Sequence, residues 1–531
     1  MPFAISPDSE ASFEPVSNRK SVLFIILIAA IFAGARLWRL TTSCLWFDEI
    51  FSVHAAKHDW NGLFHFVAAD IIHPPLFYLI LKIWILIGGD SLLWLRLLPA
   101  LIGILCVVPF ILLCRELKLK NNETILALLL LAVNGYLIKY AQEVRMYSLL
   151  FFLSVTSLWL FFKLLNRDRP AKALVATLWL VNLLMVYSHY AGWLVVLLQA
   201  AILVCWQRRK VTTYLITLAA LMVAYVPWIY LVSTVARSGG AGRGVAENIG
   251  WVAKPGLLDL VQYFILLNRP FLFVQSSTQT GYNLIIAIIA FTLFGVPLLL
   301  LLWTAIKRRS FETPSIYALA VFLLAPAVLL FLGSWLFPYS IWGTRHLIIA
   351  TAPYAVLASL ALTRLQPFIL RTTALVVIGC WVFLSAAVFS FSRPQEFIWC
   401  SWESLALHIP QVDSSQPDQV YAYEDLVAYH LWFALNQPAN GVSVVKGVPG
   451  VLEDPAYFLP RAFSDIAVQQ NPDLKGNNVW VAFRAVELDE SRPPLNGIRQ
   501  SGFEIERVFS RKAQGQQAFL VKLRRTAGNT R

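Results

Sequence analysis

Long apolar runs recur along the chain, and they restrict its fold more than any other feature. Of the 531 residues, 58% are hydrophobic and only 14% are charged, whereas soluble proteins have about 25% charged residues. Many runs are roughly 20 residues long, which is enough to cross a bilayer as an α-helix. They lack the alternating pattern of outer-membrane barrel strands. The sequence therefore predicts a polytopic α-helical membrane protein.

The net charge of +13 reflects membrane orientation. Lys and Arg fall in short clusters at the ends of apolar runs, as at residues 115–120 and 207–210. Cytoplasmic loops carry such clusters, so we predict a bilayer as partner and no nucleic acid. The six cysteines show no metal-type spacing, and Cys44 and Cys400 fall on the same side in the topology below, which allows a disulfide.

The positions of the basic clusters predict the topology. Arg19 and Lys20 precede the first apolar run and place the tail, residues 1–20, in the cytoplasm. The apolar run Leu76–Gly88 is short, as in interfacial or re-entrant helices. If it does not cross, every later basic cluster is cytoplasmic, and residues 21–391 form about 11 spans. Residues 51–70 and 257–267 are predicted to be interfacial helices.

The composition changes after residue 391. Residues 392–531 contain strand-like runs at 419–423, 442–445, 479–483 and 518–523 and a helical run at 426–435. We predict a small α/β domain, whose strand order the sequence does not determine. Because an odd number of spans precedes it, this domain is predicted to be extracytoplasmic, and the protein to lie in the plasma (inner) membrane.

Polar side chains gather on the extracytoplasmic side of this topology, in several separate loops. They are Asp48, Glu49, His73, Glu143, Arg145, His189, Tyr190, Arg269, Arg345 and His346. Ionisable groups at membrane depth are costly and tend to be functional, although any single one fits an ordinary loop residue. A carboxylate can accept a hydroxyl proton, and arginine binds phosphate through two parallel hydrogen bonds.

Three of these motifs together resemble glycosyltransferase family 39, the protein O-mannosyltransferase and aminoarabinose transferase group of the GT-C fold. They are Asp48-Glu49, His73-Pro74-Pro75-Leu76, and Tyr-Ala-Gln-Glu-Val-Arg-Met-Tyr at residues 140–147. The turn with Arg345-His346 is similar to a later family element. The resemblance covers roughly residues 22–365 and is closer to the bacterial members.

The resemblance implies an inverting glycosyltransferase that uses a polyprenyl-phosphate sugar as donor. The acceptor would be a hydroxyl or phosphate of a glycan, lipid or protein on the extracytoplasmic face. Asp48 would be the general base, with Glu49 and Glu143 as further catalytic groups. Arg145, Arg345 and Arg269 would bind the donor phosphate, and the remaining polar residues, His73, His189, Tyr190 and His346, would bind substrate.

Three questions stay open in the sequence. In the aminoarabinose branch, an acidic residue that helps to hold a metal stands before the Pro-Pro element. His73 occupies this position here, so the sequence is compatible with a divalent metal but does not require one. A lipid-linked sugar transporter or flippase is the alternative function, although transporters tend to place charges near mid-bilayer. His189 and Tyr190 equally fit interfacial anchoring.

Overall fold

The computed structural model describes residues 4–5, 19–237, 250–273, 280–308, 313–394, 396–410, 419–435, 441–454, 458–460, 463–470, 474 and 478–526. The chain divides into two compact units. The membrane unit takes its residues from Met1–Leu40, Ile71–Ser238 and Arg243–Ser392, and the α/β unit takes them from Thr41–Asp70 and Arg393–Arg531.

Helices account for most of the described chain. Up to residue 237 they are α1 (Arg19–Leu37), α2 (Phe47–Lys57), α3 (Trp60–Asp70), α4 (Leu76–Gly88), α5 (Leu92–Leu105), α6 (Val107–Glu116), α7 (Asn121–Val133), α8 (Gly135–Ala141), α9 (Tyr147–Leu165), α10 (Lys172–Ser188), α11 (Gly192–Trp206) and α12 (Arg208–Arg237). They continue with α13 (Leu257–Asn268), α14 (Thr280–Ala290), a π-helical turn at Phe291–Gly295, α15 (Val296–Arg308), α16 (Thr313–Leu336), a 3-10 helix at Thr344–Ala350, α17 (Thr351–Thr363), α18 (Phe368–Phe391), a 3-10 turn at Ile398–Cys400, α19 (Ser401–Ala406), α20 (Asp425–Leu435) and α21 (Leu495–Gln500).

Within the described residues, 7 helical stretches are long and apolar enough to span a membrane. They are Leu92–Glu116, Tyr147–Leu165, Arg208–Arg237, Leu284–Lys307, Pro314–Leu336, Thr344–Thr363 and Phe368–Phe391. Shorter apolar helices include Leu76–Gly88, Lys172–Ser188 and Gly192–Trp206. The prediction of a polytopic helical membrane protein is confirmed. The number of 11 spans, and the flat orientation of Leu76–Gly88, stay predictions.

The apolar run over residues 124–138 forms parts of two helices, α7 and α8, because the chain breaks at Asn134. The Asn134 side chain accepts a hydrogen bond from the Leu137 amide at 2.9 Å, and so caps α8. Its amide group donates to the Leu267 carbonyl at 2.9 Å. At Gly135 an added Cβ would lie 2.4 Å from the Leu272 carbonyl oxygen, so the close approach requires glycine.

A buried arginine donates hydrogen bonds to the carbonyls at the end of α7, on the other side of this break. Arg36 is 1% exposed, and its guanidinium donates to the carbonyls of Leu131 at 3.2 Å and Ala132 at 3.3 Å. The last carbonyls of a helix lack partners inside it, and a cation near them is favourable. The break therefore has partners on both sides, and α8 leads directly into the segment that carries Glu143 and Arg145.

A closed ring of side-chain hydrogen bonds joins three helices, α9 to α11, and Tyr214 of α12 adds a further hydrogen bond to it. Ser157 donates to the Asn182 carbonyl oxygen at 2.6 Å, and Asn182 donates to that of Gln199 at 3.0 Å. Gln199 donates back to Ser157 at 2.7 Å, and Tyr214 donates to Gln199 at 2.7 Å. Because buried polar groups are costly unless paired, this ring selects one packing of the four helices.

The α/β unit contains a mixed sheet of six strands. They are β3 (Gln419–Ala422), β4 (Val442–Val445), β5 (Ala467–Gln469), β6 (Asn478–Ala485), β7 (Phe503–Ala513) and β8 (Gln516–Arg525). The order is β5-β4-β3-β6-β8-β7, with β3 parallel to β4 and β6, and β8 antiparallel to β6 and β7. A separate pair, β1 (Ala4–Ile5) and β2 (Leu365–Gln366), lies in the membrane unit.

The four predicted strands and the helix near 426–435 are present, so the predicted α/β domain is confirmed in kind. The sequence analysis missed β5, β7, α19 and α21. It also assigned residues 41–70 to the membrane domain, whereas they belong to the α/β unit. Two contacts join residues 41–70 to this unit. They are the disulfide Cys44–Cys400, which the sequence analysis allowed, and the packing of Phe47 on Tyr429, with ring centroids 5.3 Å apart.

Candidate functional site

Three imidazoles and a buried arginine meet in the membrane unit. His73 precedes α4, His189 joins α10 to α11, and His346 lies in the 3-10 helix Thr344–Ala350. The ring centroids of His73 and His189 are 5.2 Å apart, and those of His189 and His346 are 5.0 Å apart. Arg145, which is 4% exposed, reaches His73. We call these four residues the cationic cluster.

The loop that carries His73 is fixed from a neighbouring helix pair. The Tyr190 hydroxyl donates to the Ile71 carbonyl at 3.0 Å and accepts from the Trp228 indole at 3.3 Å. Ile71 itself has a positive φ of 67°, which is unusual for a branched side chain. Tyr190, predicted to bind substrate, therefore stabilises the turn before His73.

Hydrogen bonds define the protonation of two of the rings. Arg145 Nη2 lies 3.4 Å from His73 Nδ1, and because a guanidinium only donates, this nitrogen accepts. The Ala191 amide donates to His189 Nδ1 at 3.0 Å. In both neutral rings the proton therefore lies on Nε2. Neither Nε2 has a hydrogen-bond partner among the described residues.

Such buried, unpaired donors cost free energy, and in native structures each calls for an explanation. Two of them lie side by side here, next to a guanidinium. An anion with several acceptor oxygens satisfies both imidazoles and suits the neighbouring positive charge, because charge-assisted hydrogen bonds are the strongest available to these groups.

The histidine rings and the arginines of this region differ in charge at neutral pH. Burial lowers the pKa of His73 well below its usual range, and the nearby charges of Arg145 and Arg345 lower it further. Burial also lowers the pKa of His189, with His346, Arg345 and Arg145 adding to it. At neutral pH both rings are therefore uncharged donors, and the positive charge of the site comes from the arginines.

The segment with Arg345 and His346 is held by two buried tyrosines. The Tyr136 hydroxyl, from α8, donates to the Thr344 carbonyl at 2.5 Å. The Tyr263 hydroxyl, from α13, donates to the Leu347 carbonyl at 3.1 Å. Tyr136 thus connects the helix leading to Arg145 with the helix carrying Arg345. The sequence analysis missed both tyrosines, and no spacing signal distinguishes them from other core aromatics.

Glu143 and Arg269 have other neighbours. Glu143 forms an ion pair with Lys139 at 2.5 Å, and its carbonyl accepts from the Arg145 amide at 2.7 Å. Arg269 is buried, and its carbonyl accepts from the Gly135 amide at 3.0 Å. It lines a cavity of about 20 Å³ with Asn134 and Asn268, room for about one water molecule. Their predicted roles, acid and phosphate ligand, stay predictions.

Asp48 and Glu49 belong to the α/β unit, at the start of α2. The Glu49 carboxylate accepts from the Trp46 amide at 2.9 Å and is 2% exposed, so it caps α2 in the manner of a capping box. Asp48 is half-buried, and its carbonyl accepts from the Ser52 hydroxyl at 3.0 Å. The catalytic roles of both carboxylates stay predictions.

Metal ligation finds no support in the described part of the chain. No group of three or more His, Cys, Asp or Glu side chains there is arranged to hold an ion. The cationic cluster brings together nitrogen donors and positive charge, which repels a cation.

The structure is similar to solved glycosyltransferases. ArnT from Cupriavidus metallidurans in the apo state matches with TM-score 0.58 and 14% identity, covering 96% of this chain and 98% of that chain. Its complex with undecaprenyl phosphate matches with TM-score 0.57 and 12% identity, covering 95% and 98%. These identities are low, so the likeness establishes the fold, which is GT-C as the resemblance implied.

A second similar structure is the oligosaccharyltransferase AglB from Archaeoglobus fulgidus, in complex with an inhibitory peptide and a dolichol-phosphate. It matches with TM-score 0.51 and 15% identity over 80% of this chain, which spans only 64% of the archaeal enzyme's length. No family model matches the chain, and no curated protein matches it.

Proposed function

We propose that this chain is a membrane glycosyltransferase that uses a polyprenyl-phosphate sugar as donor. The observation that carries the proposal is the cationic cluster, in which two buried imidazole N–H groups without partners in the described structure lie beside Arg145. Such a set fits the phosphate of the donor. Support also comes from the fold, since one similar structure is bound to undecaprenyl phosphate and another to a dolichol-phosphate.

The proposed reaction is a single displacement with inversion. The bond from the anomeric carbon to the phosphate oxygen breaks, and a bond to the acceptor oxygen forms. The polyprenyl phosphate leaves with the electron pair, and Arg145 and Arg345 stabilise its growing negative charge. Donors that are already oriented need no reorganisation as the charge develops, which makes this kind of stabilisation a large contribution to catalysis.

Asp48 is the proposed base that receives the acceptor proton, an assignment taken from the family resemblance. Of the adjacent pair, Glu49 is the weaker candidate, because its carboxylate already accepts the Trp46 amide. Glu143, paired with Lys139, is proposed as a second acidic group that orients the acceptor. Arg269, Tyr190 and His346 are proposed to contribute to substrate binding.

The proposed location is the plasma membrane, with the N-terminus cytoplasmic and the α/β unit extracytoplasmic. The Cys44–Cys400 disulfide supports this orientation, because disulfides persist in oxidising compartments such as the periplasm and are rare in the cytosol. Both cysteines then lie outside the cytoplasm, as the positive-inside rule predicts.

Transfer in detergent tests the proposal against a transporter, which needs a sealed vesicle. Purified protein is mixed with a radiolabelled polyprenyl-phosphate sugar and an extract of cell-envelope acceptors. We expect labelled acceptor and free polyprenyl phosphate, with loss of both in Arg145→Gln and Asp48→Asn. Arg115→Gln, an exposed arginine of the membrane unit, should keep activity. Donor turnover only in sealed vesicles would overturn the proposal.

A further inference from the structure

The helix that carries Asp48, α2, is held at both of its ends by other residues of the α/β unit. The disulfide Cys44–Cys400 lies four residues before Asp48, and the Cys44 amide lies 3.2 Å from the Cys400 sulfur. Trp46 packs on Trp399 with ring centroids 5.8 Å apart. The start of α2 is thereby joined to the first turns of the C-terminal segment.

The end of α2 is fixed by a second set of contacts. His54 Nδ1 and the Tyr429 hydroxyl form a hydrogen bond at 3.0 Å. The His54 ring also lies 4.7 Å from Trp432 and 4.9 Å from Phe463, between centroids. His54 is 8% exposed and Tyr429 is fully buried. One face of α2 therefore lies against α20 along its length.

Helix α20 is itself anchored in the sheet. It begins directly after β3, the strand that is parallel to β4 and β6 on its two sides. The Asp425 carboxylate at its start pairs with Lys446, which follows β4. Next to it, Glu424 forms a buried bidentate pair with Arg484 of β6, at 2.5 and 2.6 Å.

A short helix alone in water is marginal, and α2 has only 11 residues. We infer that the α/β unit acts as the positioning device for the proposed base, with the Cys44–Cys400 disulfide and Tyr429 as positioning residues that set the place of Asp48. This inference rests on the proposed function in one respect, the role of Asp48. It assigns a task to the C-terminal domain that requires no ligand of its own.

Kinetics of the disulfide-free enzyme test the inference. The variant Cys44→Ser/Cys400→Ser should lower kcat by about 10-fold or more, because misplacing a catalytic group by an ångström has such effects. The KM for the lipid donor should stay within about 2-fold, since the cationic cluster belongs to the membrane unit. Tyr429→Phe, which removes only one hydroxyl, should act in the same direction with a smaller fall. Cys205→Ser, an exposed free cysteine, is the matched control.

A double-mutant cycle separates positioning from general damage. In an Asp48→Glu background the carboxylate is already displaced, so loss of the disulfide should cost less than about 2-fold in kcat. Hydrogen exchange should show faster exchange of α2 amides in the disulfide-free variant, with the membrane unit unchanged. An unchanged kcat, the same fold loss in both backgrounds, or unaltered exchange in α2 would overturn the inference.

The outcomes distinguish this inference from the proposed function. If the wild type transfers no sugar, the proposed function fails, and the exchange of α2 alone decides whether the unit orders this helix. If Asp48→Asn is as active as the wild type, the base assignment fails and the inference fails with it. If Asp48→Asn abolishes transfer but the disulfide-free enzyme keeps its kcat, only the inference fails.

Discussion

Acidification should destabilise the α/β unit through a buried histidine, His430 of α20. It is 2% exposed, stacks on Trp399 with centroids 5.8 Å apart, and lies 2.8 Å from the Leu426 carbonyl through Nδ1. Burial lowers the pKa of His430 to about 4, against the opposing effect of the Leu426 and Leu45 carbonyls. We expect His430→Phe, which keeps a ring in this place, to make the unit less sensitive to acid.

The magnitude follows from the two pKa values. An unfolded histidine binds its proton near pH 6.5, whereas folded His430 does so only near pH 4. Between these pH values the unfolded state binds more protons, so the free energy of unfolding falls as the pH falls. From about pH 7 to about pH 5 this amounts to roughly 2 kcal/mol, or about 4–8 °C in Tm for a unit of this size.

Other buried groups in the unit titrate as well, and they require a comparison of variants. Burial lowers the pKa of His54 to about 3, which adds to the acid sensitivity. Burial raises the pKa of Glu424 and of Asp425 despite their partners, and protonation of these carboxyls favours the folded state at low pH. The difference between wild type and His430→Phe isolates the single histidine, because the other groups are common to both proteins.

Thermal denaturation of the full chain in detergent measures the effect. Pulse proteolysis, followed through the peptides of β3 and β6, reports unfolding of this unit. The Tm of the wild type should fall between pH 7 and pH 5 by about 4–8 °C more than that of His430→Phe. His408→Gln, which removes an exposed histidine of the same unit, should behave like the wild type. An equal fall in His430→Phe and the wild type would refute the reasoning.

Three further predictions concern the membrane unit and α2. Gln199→Leu removes the side chain that makes three of the hydrogen bonds joining α9 to α12, and it should lower the free energy of unfolding by about 1–3 kcal/mol. Its Tm in detergent should be lower than that of Tyr187→Phe, which loses one hydrogen bond; equal Tm values would contradict this prediction. Tyr136→Phe leaves the Thr344 carbonyl without this donor and should lower kcat/KM for the donor by about 10-fold, whereas wild-type kinetics would argue against a positioning role. Glu49→Gln should keep most of the transfer rate, because a neutral side chain still caps α2, while Asp48→Asn should lose it; equal losses would show that the capping assignment is incomplete.

The membrane fold was predictable because its signal is strong and local. Apolar runs of the right length can do little other than form helices in a bilayer, and the run Leu76–Gly88 matches its helix at both ends. The break at Asn134 was not predictable. Residues 124–138 are uniformly apolar around it, and its cause is tertiary, namely the approach of the Leu272 backbone to Gly135 and the donors that Asn134 and Arg36 supply.

The candidate site was predictable in part. His73, Arg145, His189 and His346 were singled out as polar residues in an apolar chain, and the structure brings them together. The chemistry of the site was not predictable, because it depends on which ring nitrogen accepts a hydrogen bond. The assignment of residues 41–70 was also beyond the sequence, since it follows from contacts such as Phe47 on Tyr429, nearly 400 positions apart along the chain.

Direct binding of polyprenyl phosphate, without any sugar or acceptor, tests the central claim that the cationic cluster holds the donor phosphate. Native mass spectrometry or calorimetry on detergent-purified protein compares the wild type with Arg145→Gln and His73→Phe, with Arg115→Gln as control. A charge-assisted hydrogen bond is worth about 1.5–3 kcal/mol, so the Kd should rise by about 10-fold or more in the first two variants and stay unchanged in the control. An unchanged Kd in Arg145→Gln and His73→Phe would contradict the account.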